Sequence, residues 1–69
     1  MSDQQVVGKI GRVTGAVLPG GLGEVTIPVR GSSEAFLARS DRDEAIPVGK
    51  RVVVLEYLPP RTVIVSPEE

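Results

Sequence analysis

Sixty-nine residues leave room for one domain, near the lower limit at which a single core holds itself together. The chain contains neither cysteine nor histidine, which excludes disulfides, thiolate or imidazole metal sites, and the commonest general base. A hydrophobic fraction of 41%, rich in valine, marks a folded, strand-forming chain, and a net charge of −1 gives no long-range pull on nucleic acid or anionic membrane.

No apolar run reaches the roughly 20 residues that cross a bilayer as a helix. The opening Met1-Ser2-Asp3-Gln4-Gln5 lacks both a basic and an apolar region, so it reads as a disordered polar leader over residues 1–5 and not as a signal peptide. Residues 6–67 are expected to form the domain and 68–69 a polar tail. Polar ends of this kind fit a soluble piece cut from a longer protein.

The pattern predicts a first strand between Val6 and Leu18, anchored by Ile10, Val13 and Val17 and interrupted by Gly8, Gly11 and Gly15. Glycines inside a strand mark bulges, sharp coiling or a close backbone approach, as a strand bending across both halves of a small barrel requires. Pro19-Gly20-Gly21 then turns the chain. From Leu22 to Arg30 the alternation is clean, with Gly23, Val25, Ile27 and Val29 on one face and Glu24, Thr26 and Pro28 on the other. Pro28 cannot donate a ladder hydrogen bond and is expected at an edge or bulge. Gly31-Ser32-Ser33 is expected to turn the chain into a third strand, Glu34 to Ser40, with Phe36 and Ala38 inward.

Ser40 to Ala45 is a mixed-charge link with space for one helical turn at most, and Gly49 is the natural positive-φ residue before the fourth strand. Arg51 to Leu58 and Thr62 to Ser66 read as strands four and five, joined by a hairpin loop that two prolines stiffen. Five strands with short connections predict a closed or nearly closed all-β barrel without a substantial helix.

No residue pattern here carries recognisable chemistry. Asp41, Asp43 and Glu44 alternate with Arg39 and Arg42 and read as a solvated, charge-balanced turn, not as a hydrolytic pair or a cation site. Neither Ser32 nor Ser33 sits in a motif that would activate it with Lys9 or Lys50. Gly20-Gly21-Leu22-Gly23 resembles a phosphate loop, yet a strand follows it and no lysine is near. Oligonucleotide binding, common among small five-stranded barrels, needs aromatic platforms along a basic groove. The chain offers only Phe36 and Tyr57, and its six arginines are dispersed among nine acids.

A different feature points to a partner. Strands four and five are apolar on both faces: Val52 and Val54 oppose Val53 and Leu55, and Val63 and Val65 oppose Ile64. One face of a small barrel is core, which places Val53, Leu55 and Ile64 outside. They are either covered by Tyr57, the proline loop, a terminus or a register-shifting bulge, or they form a hydrophobic contact patch.

Taken in order, Val7-Gly8-Lys9-Ile10-Gly11, Leu18-Pro19-x-Gly21, Gly23-x-Val25, Glu34-x-Phe36-x-Ala38-x-Ser40, Ile46-x-x-Gly49-x-x-Val52-x-Val54 and Val63-x-Val65-x-Pro67 resemble the soluble C-terminal domain of NfeD-like proteins. The likeness spans nearly the whole chain, and its specificity lies in the ordered set of glycine and apolar positions. It departs at Gly31-Ser32-Ser33, longer than the tight turn usual there, and at Pro28.

The resemblance implies an OB-fold-like five-stranded barrel, joined in the parent protein to membrane-spanning helices absent from this chain. It further implies a non-enzymatic interaction domain, without cofactor or catalytic residues, that works with SPFH-type membrane scaffold proteins (stomatin, prohibitin or flotillin-like) and is open to self-association. The protease domain of longer relatives has no room here. The alternative function is that of an oligonucleotide-binding OB domain, although no nucleic acid is the expected partner.

Overall fold

The structure, a computed structural model, describes residues 6–68, so the leader expected at residues 1–5 and the last tail residue lie outside the described residues. Five strands form: β1 (Ile10–Gly15), β2 (Gly23–Val29), β3 (Ser32–Ser40), β4 (Arg51–Leu58) and β5 (Thr62–Pro67). They close in the order β1-β2-β3-β5-β4, and every neighbouring pair is antiparallel except β3 with β5. This is the five-stranded Greek-key arrangement of an OB-like barrel. Among the described residues no helix is long and apolar enough to cross a membrane.

Strand alternation fills the barrel. Val13, Val25, Ile27, Ala38, Val52, Val54, Val63 and Val65 point inward and are at most 1% exposed. Burying a valine or isoleucine side chain contributes roughly 1.5–3 kcal/mol, the main source of stability in so small a domain. No polar or charged residue is buried among those described.

The two ends are closed by residues outside the regular ladders. Val17 and Ile46 pair as an isolated antiparallel bridge, and both are fully buried. Ile46 belongs to the link between β3 and β4, which thereby contributes a buried aliphatic side chain to the core. At the opposite end Val6 folds under the barrel, with the Gly8 amide donating to the Val54 carbonyl at 2.8 Å.

The connections differ from expectation in two places. The turn between β2 and β3 is not Gly31-Ser32-Ser33 but Arg30-Gly31, both with positive φ (35° and 81°), closing on the pair Val29 and Ser32. Two successive positive-φ residues make a tight hairpin whose twist suits the flanking strands, so Ser32 and Ser33 are already strand. Pro28 faces Ser33 and lies beyond Thr26, where the pairing of β2 with β1 stops. Its missing N–H therefore costs no ladder bond, as an edge position allows.

The first strand, expected between Val6 and Leu18, also stops short of the Pro19-Gly20-Gly21 turn. β1 ends at Gly15, its register with β2 shifts between Val13 and Gly15, and Val17 leaves β2 to pair with Ile46. Gly23 makes the crossing possible: a Cβ there would lie 2.5–2.7 Å from the Gly15 and Ala16 carbonyl oxygens and Val17 Cα.

Candidate protein-interaction surface

The outward faces of β4 and β5 are shaped by one irregularity. Val54 pairs with Val65, but the next pair is Glu56 with Ile64, which leaves Leu55 as the extra residue of a β-bulge. Without it the alternation would turn Glu56 into the core. With it Glu56 stays outside, and Tyr57 turns toward the core instead, opposite Val63. The bulge thus accounts for Leu55 and for the faces of Glu56 and Tyr57, whereas Val53 lies before it and faces outward by regular alternation.

The three outward residues expected from the sequence occupy different settings. Val53 is half-buried between Ile10 of β1 and Ser66 of β5. Ile64 is half-buried between Arg39 of β3 and Glu56 of β4, its partners on the two neighbouring strands. Leu55 is the most open of the three, at 44% exposed, and lines a shallow depression with Val7, Glu56 and Tyr57. Val7 and Ile10 therefore join the apolar surface. Their part in it follows from the pairing of β1 and the preceding turn with β4, which local spacing does not encode.

The aromatic residues are committed to the fold. Phe36 is 6% exposed and meets Tyr57 edge-to-face, with centroids 6.3 Å apart. The Arg61 guanidinium lies 5.1 Å from the Phe36 centroid and donates to the Ala35 carbonyl at 2.7 Å, while the Tyr57 hydroxyl donates to the Pro60 carbonyl. Phe36 presents no free face on which a base would stack, and Tyr57 is half-buried with its hydroxyl engaged by the loop.

The acidic link serves its own backbone. Ser40 Oγ accepts from the Arg42 and Glu44 amides at 3.2 and 3.0 Å, and Asp43, at φ 60°, accepts from the Gly20 amide through its carboxylate. This holds the Pro19-Gly20-Gly21 loop against the link. Among the described residues no cluster of carboxylates has the grouping of a metal site.

The family profile of the NfeD C-terminal domain matches residues 10–66. No curated protein matches the chain in sequence. Solved structures similar along most of their length include two soluble domains. The soluble domain of the NfeD protein YuaF from Bacillus subtilis has 30% sequence identity and a TM-score of 0.86, the match covering 97% of this chain and 79% of that one. The C-terminal domain of stomatin operon partner protein 1510-C from Pyrococcus horikoshii has 29% identity and a TM-score of 0.80, covering 100% of this chain and 97% of the other. Ordered glycines, a closed five-stranded barrel and a family match across the strands lead to one assignment: the chain belongs to the NfeD C-terminal domain family.

Proposed function

We propose that this barrel is a non-enzymatic protein-interaction domain of a membrane-associated NfeD-like protein, and that it contacts a stomatin-type scaffold partner through the outward apolar residues of β4 and β5. The observation that carries the reading is the similarity, along the whole chain, to a domain named as a stomatin operon partner. The distribution of side chains supports it. The interior is closed aliphatic packing, whereas Leu55 and Val7 stand exposed beside half-buried Val53 and Ile64. Leu18, Leu22, Leu37 and Val48 are exposed as well, but the apolar residues of this wall adjoin one another through strand pairing and a shared depression, as those of a contact surface do.

The test is a binding measurement between the barrel and the soluble part of a stomatin-type protein. Saturable binding that Leu55→Lys and Val53→Lys weaken, with an unchanged fold, supports the reading. Equal binding by the variants moves the contact elsewhere. Binding by the intact parent that survives deletion of the barrel removes the proposed role.

A further inference from the structure

The arginines are scattered along the sequence, but the barrel brings two of them together. Arg12 of β1 is the direct cross-strand partner of Arg51 of β4, and on its other side it faces Thr26 of β2. Like charges directly opposite on neighbouring strands destabilise a sheet. Arg51 is relieved by Glu68, whose Oε1 lies 3.2 Å from the Arg51 Nε. Arg12 has no such ion pair among the described residues. Because the Glu68 contact uses Nε, the terminal guanidinium nitrogens of Arg51 remain available to a second acceptor.

The two arginines stand along a shallow groove that crosses β1 and β2 and is also lined by Ile10, Thr26, Pro28 and Ser33. Paired guanidiniums present several N–H donors in a planar fork, the geometry that suits a tetrahedral oxyanion. We propose that this groove binds a phosphate group, held by Arg12 and Arg51 with the Thr26 hydroxyl as a further donor. The Ile10–Pro28 stretch beside it receives the apolar part of the molecule carrying the phosphate. No aromatic residue lines the groove, so it lacks the stacking platform of a single-strand nucleic-acid site. A soluble phosphate ester and a phospholipid headgroup share the required chemistry.

The 69-residue chain, labelled with nitrogen-15, is titrated at constant ionic strength with inorganic phosphate. Parallel titrations use phosphatidylcholine vesicles with or without phosphatidylglycerol, oligothymidylate, and chloride as the control. Saturable amide shifts at Arg12, Thr26 and Arg51 are expected, with binding about tenfold weaker in Arg12→Gln or Arg51→Gln and unchanged in Arg30→Gln. Saturation by inorganic phosphate identifies a soluble source. Arg12-dependent binding confined to phosphatidylglycerol vesicles identifies a lipid headgroup. Shifts that persist in both groove variants, spread over every arginine or appear equally with chloride overturn the proposal, as does tighter binding of oligothymidylate than of any other probe. Both substituted residues are exposed, and a folded spectrum from either variant suffices for the comparison.

Discussion

Val17 and Ile46 hydrogen-bond to each other in both directions, at 2.9 and 2.8 Å, although neither lies in one of the five strands. Both side chains are completely buried. The pair seals one end of the barrel, so Ile46→Ala leaves a cavity that a two-residue bridge cannot collapse to fill. The expected loss is about 2–5 kcal/mol, measured by equilibrium urea unfolding. A loss below ~1 kcal/mol would show that the link lies on the surface in solution.

Gly23 and Gly20 separate two reasons for glycine. A Cβ at Gly23 would meet backbone atoms of Gly15, Ala16 and Val17 at 2.5–2.7 Å, and backbone cannot rotate aside. At Gly20 nothing lies within 4 Å, and the demand is a φ of +72°. Gly23→Ala is therefore expected to cost more than about 2 kcal/mol and to perturb the β1–β2 loop, while Gly20→Ala costs about 1 kcal/mol. The same unfolding measurement ranks them, and a reversed order would refute the close approach.

Tyr57 and Arg61 fasten the β4–β5 loop to Phe36. Tyr57→Phe removes one hydrogen bond to the Pro60 carbonyl and keeps the ring contact, for an expected loss of about 1 kcal/mol. Arg61→Ala removes both the cation–π contact and the bond to the Ala35 carbonyl. Amide exchange at the β4–β5 loop should accelerate in both variants, with the Val17–Ile46 end unaffected. Uniform acceleration would mean that the loop unfolds only with the whole domain.

Leu55 offers a test of surface against core on one strand. As the unpaired residue of the bulge it is 44% exposed, whereas Val54 beside it is 1% exposed. Leu55→Lys should change stability by no more than about 0.5 kcal/mol, while Val54→Lys should unfold the domain. Thermal melts of the two variants check this before any binding experiment is interpreted.

The Arg51–Glu68 ion pair is the opposite case, a visible contact of small energetic weight. Its side chains are 59% and 39% exposed, so solvent and salt screen it. Glu68→Gln is expected to cost about 0–1 kcal/mol, with any loss shrinking as salt rises. A larger, salt-independent loss would refute the solvent-screened reading of this pair, since Glu68→Gln leaves the backbone bond from the Glu68 amide to the Arg51 carbonyl intact.

Local periodicity determined much of this protein. In β2 and β3 side chains alternate with period two, so Val25, Ile27, Phe36 and Ala38 declared their inward face without reference to any partner. The positive φ at Gly49 was legible for the same reason, since backbone freedom belongs to a residue and not to its neighbours. β4 was ambiguous because valine occupies both faces, and the bulge at Leu55 that resolves it is defined by pairing with β5. The tight Arg30-Gly31 turn was misplaced by two serines that carry a turn signal but serve as strand. The Val17–Ile46 seal, the junction of Val7 and Ile10 with β4, and the meeting of Arg12 with Arg51 each join residues far apart in the chain. Only the tertiary structure decided them, because strand register across a closed barrel is a property of the whole set of pairings and of no single segment.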